Sequence, residues 1–273
     1  MSPVFTTEQH LSDVLQSFDE NANPRLTRVL RSLVTHLHAF VVETGLTREE
    51  WMTGIEFLTA TGHMTDDHRQ EFILLSDTLG VSMLVEMVNQ DPSDGATEPT
   101  VLGPFYVPGA PERAMGESIA PEGSGGEEVV ISGMVLTTDG QPLSDAILDV
   151  WQVTPDGLYD VQDAAIEPMS HRGIFRTGDD GRFALRSTVP VDYQIPTDGP
   201  VGAMLRATGR ASWRPAHTHF MVSHPGYKTV ITHVFDAAST HLETDAVFGV
   251  RDSLAVDFSS GATFFDFVLD LVE

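Results

Sequence analysis

A chain of 273 residues with 41% hydrophobic and 20% charged content holds enough apolar material for a sizeable core, with room for one large and one smaller domain. Its 40 Asp and Glu against 15 Lys and Arg give a net charge of -25, which repels nucleic-acid backbones and anionic lipid surfaces, so neither nucleic acid nor membrane is expected as a partner. There is no cysteine, which excludes disulfides, thiolate metal sites and cysteine nucleophiles together; any metal must be held by nitrogen and oxygen.

The N-terminus, MSPVFTTEQHLSDVLQ, lacks a basic segment followed by an apolar run, and the expected location is the cytoplasm. From about residue 6 to 90 the pattern is helical. Asn23-Pro24 reads as an N-cap with proline in the first turn, and Leu26, Val29, Leu30, Leu33, Leu37, Phe40 and Val41 recur at helical spacing up to Gly45. Thr47-Arg48-Glu49-Glu50 has capping-box spacing for the next helix, which carries Trp51, Ile55 and Leu58. Thr65 is expected to open a helix over 66–79 with Phe72, Ile73, Leu75 and Leu79 turned inward; Gly80 interrupts it and 81–88 resumes. His36 and His38 lie in this region, where residues two apart point about 200° apart around a helix axis, so the two cannot share an ion.

Beyond the Pro/Gly-rich stretch 91–95, short β-rich runs are separated by Gly, Pro and Asp, as in a β-sandwich or barrel. Strands are expected over 129–138, 146–153, 183–187, 218–222, 230–235, 250–258 and 264–272. The fold class is mainly β with a helical N-terminal part: a helical domain over 1–92 and a β-sandwich domain over 93–273.

One stretch carries chemistry on its face: Arg214-Pro215-Ala216-His217-Thr218-His219-Phe220-Met221-Val222. Alternation along a strand puts His217, His219 and Met221 on one side, so two imidazoles can converge on one ion. Pro215 marks the strand's start and leaves Arg214 at the rim. Tyr159 and Tyr193 stand in loop-like surroundings, and a phenolate's hard anionic oxygen suits Fe(III) better than Zn(II). Each observation has an ordinary alternative. Histidines two apart in a strand are more often plain polar positions, and a tyrosine before a turn usually packs with its hydroxyl in water. No HExxH helix, EF-hand loop, nucleophile elbow or phosphate-binding glycine loop is present. Two rival readings therefore stand beside an Fe(III) site: a non-enzymatic β-sandwich binding module, and a ferrous extradiol or cupin oxygenase using His217 and His219 with a carboxylate.

Four motifs in one order narrow the choice. Leu102-Gly103-Pro104-Phe105-Tyr106 with Pro108-Gly109-Ala110-Pro111, then Asp149-Val150-Trp151-Gln152 leading to Gly157-Leu158-Tyr159, then Tyr193-Gln194-Ile195-Pro196, then the histidine stretch, together resemble the intradiol catechol dioxygenases over most of the chain. The resemblance implies a β-sandwich catalytic domain preceded by a helical dimerisation domain. It implies one Fe(III) per subunit held by Tyr159, Tyr193, His217 and His219, with the substrate bound to it as a catecholate. Tyr193 would be the ligand displaced by substrate, taking up a proton, and Arg214 would stabilise the electron-rich ring, a task suited to a rigid, permanently charged guanidinium. It also implies O2 as co-substrate, a place in aromatic hydrocarbon catabolism, and a homodimer joined through the N-terminal helices with a phospholipid between them.

Within the family, Val101 to Phe105 together with Leu74 and Asp77 look most like the members that act on hydroxyquinol, benzene-1,2,4-triol, cleaving it to maleylacetate. The implied ring pocket is Leu74, Asp77, Val101, Leu102, Gly103, Pro104, Phe105, Ile195, Pro196, Arg214 and His233. Asp77 would accept a hydrogen bond from the extra ring hydroxyl; the alternative for it is a capped or solvent-facing helix carboxylate. The alternative substrate is catechol, giving cis,cis-muconate. One departure stands out: sixteen residues after His217, where many catechol-cleaving relatives carry glutamine, this chain has His233, either a supporting neighbour of the iron or a packing residue.

Overall fold

The structure is a computed structural model that describes residues 6–19, 22–90 and 92–272. It divides into two compact units, Met1–Thr59 and Ala60–Glu273. The helices are α1 (Thr7–Gln16), α2 (Pro24–Thr44), α3 (Arg48–His63), α4 (Glu71–Thr78), α5 (Val81–Asn89) and α6 (Pro200–Ala207). The strands are β1 (Glu128–Thr137), β2 (Ile147–Trp151), β3 (Arg172–Arg176), β4 (Arg182–Thr188), β5 (Tyr193–Gln194), β6 (Trp213–Arg214), β7 (His217–Ser223), β8 (Val230–Asp236), β9 (Ala255–Val256), β10 (Ala262–Phe264) and β11 (Phe267–Leu269). Among the described residues no helix is long and apolar enough to cross a membrane.

In the smaller unit the caps fall where the sequence places them. The Asn23 side chain accepts the N–H of Leu26 at 3.1 Å, Pro24 takes the first turn of α2, and Gly45 ends the helix at φ 61, a left-handed conformation open to a residue without Cβ. Thr47 and Glu50 bond reciprocally, main chain to side chain, at 3.2 and 2.9 Å, as a capping box does. The apolar stripe on α2 does not form a core: Leu26, Val29, Leu33, Leu37, Phe40 and Val41 stay between 44% and 52% exposed. Trp51, Ile55 and Leu58 on α3 are exposed to a similar degree.

In the larger unit several expectations need correction, beginning with α4. The helix expected over 66–79 begins only at Glu71, because the Asp66 carboxylate accepts the N–H groups of His68 and Arg69 at 2.7 and 2.8 Å and holds the intervening residues in a turn. Phe72, Ile73 and Leu79 are also exposed rather than turned inward. The buried stripe is Glu71, Leu74, Leu75 and Thr78, with Asp77 beside it. Glu71 sets this rotation by pairing with Arg69 at 3.0 Å and accepting the N–H of Val201 in the first turn of α6 at 3.1 Å.

The rest of this unit is a sandwich of two main sheets. In the first, β1 pairs antiparallel with β4 and parallel with β10 and β11; the second runs in the order β3-β2-β7-β8-β9. Val129, Ile131 and Val135 from β1, Phe183 and Leu185 from β4, Leu148 and Val150 from β2, and Phe220 and Val222 from β7 fill the space between. Burying each such side chain contributes roughly 1.5–3 kcal/mol. The strand expected over 264–272 is broken in two. Phe265 donates its N–H to Ser132 and Asp266 turns to accept the N–H of Met134, so the chain steps past Gly133, where a Cβ would lie 1.8 Å from the Phe265 carbonyl oxygen. The strand expected over 250–258 is reduced to the two residues of β9, after a 3-10 turn at Asp252–Leu254. Strand β3, the short β5-β6 pair and α6 were not legible in the sequence.

Candidate active site

Strand β7 alternates as its sequence requires. Phe220 and Val222 enter the core, Thr218 is buried on the same side with its hydroxyl donating to Gln152 at 2.7 Å, and His217 and His219 face the other way. Register then adds a third imidazole. His219 sits opposite Trp151 on β2 and opposite His233 on β8. One ligand nitrogen from each of His217, His219 and His233 lies within 4.8 Å of the others, and all three residues are buried. This triad is able to hold a metal.

Hydrogen bonds fix how two of the imidazoles point. His217 Nδ1 donates to the Pro215 carbonyl at 2.6 Å, which leaves the Nε2 lone pair facing His219 Nε2 at 3.1 Å. His233 Nε2 lies 3.5 Å from both terminal nitrogens of Arg214; arginine only donates, so Nε2 accepts and Nδ1–H is directed at the Thr100 hydroxyl. Burial pushes all three histidines well below their ordinary pKa, with the Arg214 charge adding to the effect, so they are neutral.

The two tyrosines are not ordinary surface packing. Tyr159 is 1% exposed and Tyr193 3% exposed. Tyr159 stacks on Phe105 with centroids 4.8 Å apart and meets the Tyr193 ring edge-on at 5.7 Å. Its hydroxyl is buried without a hydrogen-bond partner; burial, and after it the neighbouring Tyr193, raises it well above the usual phenol value. Tyr193 opens β5 directly opposite Arg214 on β6, and its hydroxyl receives an N–H from Arg214 at 3.4 Å.

Arg214 is not at a rim. It is 3% exposed, and its Nε donates to Asp245 at 3.2 Å. Burial works against its charge, yet Asp245 and then Tyr193 hold it protonated more firmly than free arginine.

The expected pocket residues divide by position. Val101 and Phe105 are buried, and Leu102 packs with Phe105, Trp151, Tyr159 and Tyr193. Gly103, at φ 77, passes so close that a Cβ would sit 3.5 Å from the His219 ring; Pro104 follows it, half-buried. Leu74 and Asp77 share the buried side of α4. Ile195 and Pro196 leave the site past Tyr193, with the Ile195 N–H tied to the Ser212 carbonyl. Asp77 is 1% exposed, neither of its oxygens has a partner, and burial pushes its carboxyl up to about 6; the nearby Ser82 hydroxyl is committed to Ser76. A capped or solvent-facing carboxylate does not fit this position.

Three residues escaped the sequence reading. Arg172, in the missed strand β3, donates to Asp160 at 2.6 Å and to the Phe105 carbonyl at 2.8 Å, and its guanidinium lies 5.9 Å from the Tyr159 ring centroid. Asp160 follows Tyr159 directly, a signal that was available. Asp245 is one of 40 acidic residues and stands in no motif, so nothing local marked it.

A β-sandwich with buried histidines on one face of the interior strands β7 and β8, and buried tyrosines packed beside them, defines the class. The family model described as "Dioxygenase" matches residues 101–271 and that described as "Catechol dioxygenase N terminus" matches residues 23–97. The chain belongs to the intradiol ring-cleavage dioxygenases, and the expectations of an enzyme and of a β-sandwich preceded by a helical part hold. It is 50% identical over 262 residues to 6-chlorohydroxyquinol 1,2-dioxygenase of Cupriavidus pinatubonensis, covering 94% of this chain and 95% of that one. It is 46% identical to hydroxyquinol 1,2-dioxygenase of a Rhizobium species, over 93% of this chain and 86% of that one. The crystal structure of hydroxyquinol 1,2-dioxygenase from Pseudomonas putida matches with a TM-score of 0.90 at 45% identity, over 97% and 99% of the two chains.

Proposed function

We propose that the protein cleaves hydroxyquinol with O2 between its two adjacent hydroxyl-bearing carbons, giving maleylacetate, at one Fe(III) per subunit held by Tyr159, Tyr193, His217 and His219. The observation that carries the iron is the buried Tyr159 hydroxyl, left without a partner on a ring whose centroid lies 5.7 Å from that of Tyr193 and 6.2 Å from that of His219, with the Nε2 atoms of His217 and His219 facing each other at 3.1 Å. A buried phenol in that state is costly unless an ion takes it, and two phenolates with two neutral imidazoles are a donor set suited to ferric iron. Fe(III) bound there would supply the Lewis acidity that draws the substrate into its catecholate form and primes the ring for O2. His233 lies in the same cluster and, like His217, faces Arg214 through Nε2; what supports a role beside the iron rather than on it is the motif match to the intradiol dioxygenases, which falls on Tyr159, Tyr193, His217 and His219.

The protein's own groups then divide the work. Tyr193, with the Arg214 N–H already at its oxygen, is the group that would take up a substrate proton once released from the metal. Arg214 places positive charge where the ring gains electron density. Asp77 accepts the third ring hydroxyl, the contact that separates hydroxyquinol from catechol. An unpartnered buried carboxylate is what such selectivity needs, since a substrate lacking the hydroxyl leaves it unpaired.

Four further expectations belong to the same proposal. The half-exposed apolar stripes of α2 and α3 support a homodimer through the N-terminal helices. A 660 Å³ cleft between α1 and α2, lined by Leu11, Ala39, Val41 and Val42, supports a bound phospholipid chain. The division into a helical domain over 1–92 and a catalytic domain over 93–273, and a place in the cytoplasm, complete the reading.

The test is an anaerobic titration of the purified protein with hydroxyquinol and catechol in turn, followed by product identification under oxygen. Tyrosinate-to-iron absorption that changes hue with each diol, and maleylacetate from hydroxyquinol, are the expected results. Colourless, iron-free folded protein overturns the site, and unchanged colour in Tyr159→Phe overturns that ligand. A higher specificity constant for catechol overturns the substrate alone.

A further inference from the structure

We propose that Asp245 is a positioning residue of the reaction: it grips the Nε edge of Arg214 and so turns the guanidinium's terminal nitrogens toward the substrate site. The proposal rests on the reading that Arg214 faces the substrate. Every polar contact of Arg214 is accounted for by this division. Nε meets the Asp245 carboxylate at 3.2 Å; one terminal nitrogen faces the Tyr193 hydroxyl at 3.4 Å, His217 Nε2 at 3.3 Å and His233 Nε2 at 3.5 Å, and the other faces His233 at 3.5 Å. Asp245 is the carboxyl side chain bonded to Arg214; the other contacts, the Tyr193 oxygen and two imidazole nitrogens, lie on the reactive side.

Asp245 is itself held. Its carboxylate accepts the N–H of Val247 at 3.3 Å and of Gly249 at 2.8 Å, and the Ala246 N–H binds the Trp213 carbonyl at 3.0 Å, next to Arg214 on β6. A Cβ at Gly249 would lie 3.3 Å from the carboxylate and 3.4 Å from the Arg214 terminal nitrogen, so the loop packs directly against both groups. The carboxylate is fixed before substrate arrives, which spares the guanidinium any reorganisation as charge develops on the ring.

A carboxylate that merely neutralised a buried arginine would matter for stability alone. A positioning carboxylate acts through Arg214, so its loss should change turnover and should cost nothing more once Arg214 is gone. The experiment is a double-mutant cycle on the iron-loaded full chain: wild type, Asp245→Asn, Arg214→Gln and both together, with kcat, KM, iron content and the visible spectrum. Arg214→Gln is expected to lower kcat about 100-fold. Asp245→Asn is expected to lower it roughly 10- to 100-fold with iron and colour retained. The double variant is expected to fall no more than about twofold below Arg214→Gln. Losses that multiply in the double variant, or an Asp245→Asn enzyme with kcat within about twofold of wild type, overturn the proposal. Should Asp245→Asn not fold, because it leaves a buried guanidinium unpaired, Asp245→Glu keeps the charge but moves the grip on Nε: kcat lowered roughly 10-fold with iron and colour retained supports the proposal, and kcat within about twofold of wild type overturns it. Should catechol prove the better substrate, the same cycle is read on catechol, so failure of the substrate assignment is separate from failure of Asp245.

Discussion

Trp151 lies directly across the β2–β7 ladder from His219, and the two rings stack with centroids 4.6 Å apart and planes 16° apart. The indole is a wall behind the imidazole: it fills the space into which the ring would otherwise tilt. Trp151→Leu is expected to lower stability by about 3 kcal/mol and to weaken iron retention on dialysis. Calorimetry and metal analysis read the two effects separately; full iron retention in the variant would show that the stack does not orient His219.

Arg172 and Asp160 form a buried ion pair behind Tyr159, 1% and 5% exposed at the side chain. Removing one partner strands the other charge, so Arg172→Gln is expected to cost about 3–5 kcal/mol. Arg172→Gln with Asp160→Asn is expected to recover most of that loss. Urea titrations of wild type and both variants check the ranking, and equal destabilisation of single and double variants would contradict it.

Asp77 makes stability depend on pH with a definite sign. Its carboxyl moves from 3.8 to about 6 on folding, so between those values the folded protein binds more protons than the unfolded chain. Stability attributable to Asp77 therefore falls as pH rises from about 4 to about 6 and is flat above. Asp77→Asn is expected to be more stable than wild type at pH 8 by up to about 3 kcal/mol and indistinguishable at pH 3.5. The same variant should raise KM for hydroxyquinol more than for catechol. Thermal melts at the two pH values and paired steady-state assays test both statements.

Leu33 and Leu37 stand one helical turn apart on the open face of α2. Leu33→Glu with Leu37→Glu is expected to give a monomer by sedimentation velocity with an unchanged helix signal. A dimer that survives both charges would place the interface elsewhere.

What the sequence made legible depended on range. Asn23, Gly45 and the Thr47/Glu50 box act within one helical turn, so the bounds of α2 and the start of α3 were readable residue by residue. The alternation of β7 is equally local, and it placed His217 and His219 on one face. His233 needed the β7–β8 register, and the turn at Asp66 needed two side-chain bonds that override the apolar pattern. Asp245 reaches Arg214 from 31 positions away through a loop with no periodicity at all. The stripe of α4 was misread because Glu71, a charged residue, is buried by its partners Arg69 and Val201 rather than by its own character.

The Asp192 carboxylate accepts the Ala216 N–H at 2.8 Å and the hydroxyls of Ser239 and Thr240, while Tyr193, the next residue, is paired in register with Arg214. The main chain on which Tyr193 stands is thus clamped at the entry to the histidine strand and again across the ladder. Motion of the phenol is confined to rotation about its own side-chain bonds, a swing on a fixed pivot. Under the function proposed above, such a frame would keep its shape while Tyr193 gives way to substrate and would be ready for its return when product leaves.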